Sequence, residues 1–244
     1  MRLLLNMLTV AVELALVAGT GWLAWKQPLL FMGLTLVLAL GLGLKLELAR
    51  ITHEMPFYFE RSGRLGAALR LAVGSGEAIL KALVVGGIAL ITFSGTDAAR
   101  LLAMAAIFAV LVLTGSMALR RAHLSLGMKP ARWGYFRMGA PLGLLVSVAM
   151  GFFPAPTTGA IAWRALFDLP QRPNLAQLGE TLFQVRLWAD DMIVRVLGVW
   201  LGPDGAKLAG LVISSNVLTG FLVALYAVAI SEVVRAMEEG RGLS

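Results

Sequence analysis

Several runs of 18 or more largely apolar residues follow one another along the sequence, separated by shorter polar segments. A helix needs about 20 apolar residues to cross the hydrocarbon core of a bilayer, and repeated runs of that length are typical of membrane proteins. Charged residues make up only 14% of the chain, compared with about 25% in soluble proteins. The sequence therefore predicts an all-α, polytopic helical membrane protein in contact with the lipid bilayer.

The apolar runs define six predicted transmembrane helices within a single integral membrane domain, residues 1–244. Their approximate limits are 3–25, 29–46, 78–93, 98–119, 135–153 and 208–230. The longer remaining segments are a loop over 47–76, an outer interfacial segment over 154–207 and a tail over 231–244. The first run contains Glu13, which the apolar region of a cleaved signal peptide rarely tolerates, so we interpret it as a retained span.

Basic residues concentrate in the segments on one side of this predicted bundle. They are Arg2, Lys45, Arg50, Arg61, Arg64, Arg70, Arg120, Arg121, Lys129, Arg132, Arg137, Arg235 and Arg241. Positively charged loops stay in the cytoplasm, which predicts cytoplasmic N- and C-termini in a bacterial-type inner membrane. The same rule accounts for the net charge of +7, so no nucleic-acid partner is predicted.

The segment over 154–207 is the one long connection whose composition is not lipid-like. From Asn174 to Leu201 it has helical periodicity, with Asn174 as a suitable N-cap and Gly202-Pro203 as a stop signal. The predicted apolar face carries Leu178, Leu182, Val185, Met192, Val196 and Val199. Charges between Arg186 and Arg195 argue against a seventh span. We expect one or two amphipathic helices in the outer interface, covering the contact between spans one and six.

Polar residues inside two spans are the candidate functional positions. Asn6, Glu13 and Thr20 recur every seven residues and share one helix face. Glu13 lies near mid-bilayer, where an ionised carboxylate is costly unless it is paired or solvated. Span six offers a matching polar stripe, Ser215, Asn216 and Thr219. We expect spans one and six to pack through these residues, which serve either as interhelical contacts or as a translocation or ligand site.

A stripe of small residues predicts close helix packing by span five. Its members are four residues apart: Gly139, Gly143, Ser147 and Gly151. Small residues at this spacing let two helix backbones approach closely. The sequence does not decide whether the neighbouring helix belongs to the same chain or to another copy.

An aromatic and basic cluster marks the predicted loop after span two. Its residues are Phe57, Tyr58, Phe59, Arg61 and Arg64. Such a cluster is typical of an elbow at headgroup depth, with arginine side chains extending toward water. The alternative is a docking surface for a cytoplasmic partner or another membrane subunit.

Catalytic and cofactor motifs do not emerge from the sequence. His53 and His123 are the only histidines, the chain has no cysteine, and His53-Glu54 lacks the second histidine of a zinc-peptidase helix. A phosphate-binding Gly-x-x-x-x-Gly-Lys loop is also missing. We therefore predict no catalytic residue, no metal and no cofactor, and an intramembrane enzyme is the least favoured function.

Two functional classes remain open. The favoured one is a membrane-embedded subunit of a transport or export assembly whose energy source lies in another subunit. The alternative is an accessory or scaffold subunit of a larger secretion, conjugation or respiratory complex. The layout of six spans, with a long outer connection before the sixth, is similar to that of the membrane subunits of some ABC exporters, although no motif accompanies this similarity.

Overall fold

All regular structure in the described part of the chain is helical. The computed structural model describes residues 2–58, 64–95, 97–129, 135–152 and 173–240. The helices are α1 (Arg2–Lys26), α2 (Pro28–Tyr58), α3 (Arg64–Thr92), α4 (Ala98–Leu126), α5 (Tyr135–Gly151), α6 (Leu175–Ile213) and α7 (Thr219–Glu239), with a short 3-10 helix, Ser215–Leu218, before α7. Within these described ranges, five stretches are long and apolar enough to cross a membrane, and α5 is a shorter apolar helix. The predicted all-α polytopic membrane fold is confirmed.

Helices α2 and α3 extend well beyond the spans predicted for them. They pack side by side in the most extensive helix pairing of the structure, so most of the predicted 47–76 loop is helical. Cross-helix ion pairs explain the difference: Lys81 pairs with Glu47, and Arg50 lies 2.9 Å from Glu77. Charges that indicate a loop in the sequence instead join two neighbouring helices.

Helix α7 lies at the centre of the bundle and contacts α1 through α5. The seven consecutive residues from Leu222 to Val228 are all buried. A helix that is buried on every side must lie among other helices rather than face lipid. The core of the protein is therefore organised around α7.

Four aromatic rings form the centre of this core. Tyr226 of α7 stacks on Phe31 of α2 with ring centroids 5.2 Å apart, while Phe93 and Phe108 meet Phe31 edge-on. The Tyr226 hydroxyl lies 3.0 Å from the hydroxyl of Thr35, so its polar end is satisfied within the core. Edge-on and offset ring pairs contribute about 0.5–1.5 kcal/mol each beyond their burial.

Helix α6 consists of two segments that fold back on each other. Gly202 has φ of 70° and ψ of 171°, outside helical values, and the helix resumes at Pro203. A Cβ added to Gly210 would lie 2.6 Å from Val194, and one added to Gly198 would lie 3.9 Å from Ala206, so the two segments run side by side. The predicted stop at Gly202-Pro203 is a tight reversal. The predicted cap is present, since Asn174 forms a capping box with Gln177.

The small-residue stripe of α5 packs against the stretch before and at the start of α7. A Cβ on Gly139 would overlap the ring of Phe221, and one on Gly143 would overlap the carbonyl oxygen of Val217. A Cβ on Gly151 would overlap Leu211, and Ser147 is buried. The neighbouring segment therefore belongs to the same chain.

Gly143→Ala should destabilise the protein, because the added methyl group meets the Val217 backbone rather than a movable side chain. We expect a loss of about 1–3 kcal/mol, measured as unfolding of the purified protein in mixed detergent micelles. Gly41→Ala is the matched control, since a Cβ there meets nothing within 4 Å and should stabilise the helix by about 0.5 kcal/mol. Equal stability of the two variants would contradict the close packing.

Candidate functional site

The last predicted span, 208–230, is interrupted. Helix α6 ends at Ile213, and Ser214 adopts an extended conformation with φ of −56° and ψ of 147° before the 3-10 helix begins. Ending one helix and starting another leaves backbone carbonyl and N–H groups without intrahelical partners. In a membrane protein such groups must be satisfied by other protein groups or by water in a cavity.

The carboxylate of Asp190 accepts hydrogen bonds from groups at the start of the 3-10 helix. Its Oδ1 accepts a hydrogen bond from the backbone N–H of Ser215 at 2.7 Å. Its Oδ2 accepts from the hydroxyls of Ser215 at 2.8 Å and Ser214 at 3.2 Å. The Ser214 hydroxyl in turn accepts from the backbone N–H of Asn216. One carboxylate thus holds the interruption in place.

Arg186 lies one turn before Asp190 on α6 and is only 8% exposed. Its Nε donates to the Ser215 hydroxyl at 2.6 Å, and its Nη2 donates to the side-chain oxygen of Asn216. Its positive charge lies near the C-terminal end of α6, where the helix dipole favours a cation. Among the described residues, none accepts a hydrogen bond from its Nη1.

A second arginine, Arg100 of α4, adjoins this cluster. Its guanidinium carbon lies 5.6 Å from the ring centroid of Phe183, which is one turn before Arg186. Arg100 interacts electrostatically with both Asp190 and Arg186. Its Nη1 is buried and has no hydrogen-bond partner within the described ranges of the chain. We call the group Arg100, Arg186, Asp190, Ser214, Ser215 and Asn216 the break site.

The break site lies close to the turn between α3 and α4. Thr219, the first residue of α7, lies 3.2 Å from Thr92 at the end of α3, measured between the two hydroxyls. A Cβ on Gly179 of α6 would lie 2.7 Å from the Ser94 hydroxyl. By the charge rule used above, this turn is on the side predicted to be outer.

Glu13 belongs to a different polar cluster. Its carboxylate accepts from the Ser116 hydroxyl at 2.6 Å and from Arg120 at 2.8 Å. Arg120 also pairs with Glu238 near the end of α7. Glu238 lies 19 residues after Thr219 in the same helix, about 28 Å along its axis.

The predicted contact between Glu13 and the Ser215, Asn216 and Thr219 stripe is therefore wrong. The prediction matched depths along one continuous sixth span, which the structure interrupts. It also assigned Arg120 to a loop, whereas the side chain turns back toward Glu13 and supplies the missing counter-charge.

The other two polar residues of the α1 face do not join either cluster. Asn6 is exposed, and the Thr20 hydroxyl donates to the backbone oxygen of Val17 in its own helix. The buried face of α1 instead runs through Thr9, Glu13 and Val17 at four-residue spacing. The seven-residue recurrence found in the sequence did not mark a shared site.

The predicted docking cluster is only partly described. Phe57 is 87% exposed at the end of α2. Phe59 and Arg61 lie outside the described residues, and for Tyr58 and Arg64 the structure gives only their places at the ends of α2 and α3. The exposure of Phe57 fits either a membrane elbow or a docking surface.

Sequence reasoning missed three charged members of the break site, Arg100, Arg186 and Asp190. The segment around Arg186 was predicted to bury Leu178, Leu182 and Val185, whereas the buried residues there are Gly179, Phe183, Arg186 and Leu187. Apolar periodicity identifies helix faces made of apolar side chains, so it cannot identify a face that buries an arginine. The usable signal was the pair Arg186 and Asp190, four residues apart, together with three polar residues at 214–216 inside an apolar run.

The described residues contain no group of three or more histidine, aspartate or glutamate side chains placed to hold a metal ion. No protein-family model matches the chain, and no curated protein or solved structure is significantly similar to it. The roles of the break site and of the Glu13 cluster are therefore inferred from their geometry alone.

Glu13→Gln should destabilise the protein by about 3 kcal/mol, because it removes a buried charge partner of Arg120. Adding Arg120→Gln should cost less than the sum of the single changes. We expect a coupling energy of about 1–3 kcal/mol from the double-mutant cycle, measured by unfolding in mixed detergent micelles.

The control cycle uses Asp191→Asn and Arg195→Gln. This pair is also a salt bridge, but its side chains are 41% and 75% exposed, so its coupling should stay below about 0.5 kcal/mol. Equal coupling in the two cycles would show that the Glu13 cluster contributes no more than a surface pair.

Proposed function

We propose that the chain is the membrane-embedded subunit of a transport or export assembly, and that the break site is its solute-contacting element. The observation that carries this proposal is the interruption of the last span next to a buried arginine and a half-buried aspartate. Interrupted helices of this kind are a recurring feature of transporter binding sites. Ionisable residues among membrane helices mark solute or ion pathways more often than they mark simple packing.

The energetics favour a functional origin for the interruption. A continuous helix through 208–230 would satisfy the same backbone groups by itself and would need no buried charge. The chain instead places Arg186 and Asp190 in the interior to hold Ser214, Ser215 and Asn216 in a non-helical conformation. Interhelical contacts alone require only small or weakly polar residues, such as the α5 glycines.

The assembly would lie in a bacterial-type inner membrane with both termini in the cytoplasm, as the charge distribution predicts. Energy would come from another subunit, because the sequence carries no nucleotide-binding motif. Phe57, exposed at the end of α2, and its neighbours Tyr58, Phe59, Arg61 and Arg64 are the proposed contact for that subunit. They lie on the predicted cytoplasmic side.

The proposal is tested by purifying the tagged full chain in mild detergent with its stoichiometric partners and reconstituting the complex into vesicles. We expect a nucleotide-hydrolysing partner and energy-dependent solute movement. Asp190→Asn should lower that movement about tenfold, as removal of a charge-assisted hydrogen bond would. The matched control is Asp191→Asn, the same change at the next residue, where the carboxylate pairs only with the exposed Arg195.

Two outcomes would contradict transport. Co-purification with a membrane complex whose activity is unchanged by Asp190→Asn would favour the accessory or scaffold function. Equal effects of Asp190→Asn and Asp191→Asn would show that solute movement does not depend on the break site. If the Asp190→Asn protein does not accumulate, Arg186→Lys takes its place in the comparison. This variant retains the positive charge but lacks the forked donor geometry of arginine.

A further inference from the structure

We infer that Arg100 and Arg186 together bind an oxyanion, a carboxylate or phosphate group, at the break site. The inference deepens the proposed function by naming the chemical class of its ligand. The biological role of the bound anion rests on that function. The binding itself does not, because it is measured on the purified chain without transport.

The first support is unused hydrogen-bond capacity. A guanidinium group has five N–H donors and no acceptor. The described contacts of Arg186 use Nε and Nη2 only, and the buried Nη1 of Arg100 has no hydrogen-bond partner in the part of the chain that the structure describes. An unpaired buried donor costs about 1–3 kcal/mol. An oxyanion bound by Arg100 would remove that cost, and it could also use the remaining donor capacity of Arg186.

The second support is the charge balance. The guanidinium groups of Arg100 and Arg186 repel each other, and both interact with the half-buried carboxylate of Asp190. The nearby Asp97 is exposed and already caps α4, accepting from the backbone N–H groups of Ala99 and Arg100. Although Asp97 also interacts with Arg100, an anionic group between the two guanidinium groups would relieve the repulsion between them.

The third support is the fixed position of Arg100. Its guanidinium lies over the ring of Phe183, an arrangement that orients an arginine through cation–π attraction. The same ring packs against Gly95, where a Cβ would approach it to 3.1 Å. The planar guanidinium can then present two parallel N–H groups to a carboxylate or phosphate.

Binding is tested on the full chain purified in detergent, with inorganic phosphate and succinate as probes at constant ionic strength and chloride as the reference anion. The readout is the thermal unfolding midpoint, which a ligand of the native state raises in a saturable manner. We expect phosphate or succinate to raise the midpoint of the unaltered protein, and Arg100→Gln to require at least about tenfold more of the same probe.

The matched control is Arg195→Gln, which removes the same charge from an exposed position on α6 and should respond like the unaltered protein. Arg100→Lys is the second variant. It keeps the charge but loses the forked donors, so it should also weaken binding and guards against misfolding of Arg100→Gln. Equal responses of Arg100→Gln and Arg195→Gln, or an equal response to chloride, would overturn the inference.

The source of the anion is resolved by reconstitution into phosphatidylcholine vesicles with and without phosphatidylglycerol. If phosphatidylglycerol removes the response to phosphate, the ligand is a lipid headgroup. If the response persists in both vesicles, the ligand is a soluble solute. Either result supports an oxyanion site, whereas no response to any probe or lipid overturns it.

The two proposals fail separately. Arg100-dependent binding by a chain that has no nucleotide-hydrolysing partner would uphold the oxyanion site and reject the proposed function. Energy-dependent transport that is insensitive to Arg100→Gln would do the reverse.

Discussion

Backbone polar groups in a membrane protein must find partners inside the protein, and this constraint explains much of the structure around the break site. After α6 ends at Ile213, the backbone N–H of Ser215 donates to Asp190, and Arg186 holds the side chains of Ser215 and Asn216. Those residues can reach the break only because α6 reverses at Gly202 and lies alongside itself. The glycines of α5 then allow close approach on the other side, where Gly143 faces Val217.

Buried charge occurs in two separate clusters along α7. At one end Arg120 lies between Glu13 and Glu238, and at the other Arg186 and Asp190 hold the break. The two differ in composition, because the first places one guanidinium between two carboxylates, whereas in the second two guanidinium groups share the carboxylate of Asp190. Buried ion pairs add little net stability but are costly to break. They therefore fix which residues face one another more than they strengthen the fold.

The sequence predicted those helices whose length is set by the lipid bilayer. It did not predict the features that depend on pairing between distant charged residues. Apolar runs located α1 and the start of α4 because bilayer thickness sets their length, and Asn174 was identified because a cap is a local interaction. The extensions of α2 and α3 were missed because Glu47 and Lys81 are 34 residues apart and meet only in the folded protein. The break was missed because polar residues such as Ser214, Ser215 and Asn216 also occur within continuous membrane helices. Arg186 was not among the residues predicted to be buried, because no local pattern indicates a buried arginine.

The central position of α7 has a consequence for biogenesis. The residues that complete the aromatic core and both charge clusters, Tyr226, Ser215 and Glu238 among them, follow those of every other described helix in the order of synthesis. Until α7 is inserted, Arg120 lacks its pairing with Glu238, and Phe31 lacks the ring that stacks on it. The earlier helices therefore enter the membrane before the helix that packs among them has been made. A chain cut before Thr219 would leave charged groups unpaired and helix faces uncovered, and both features would expose it to membrane quality-control proteases.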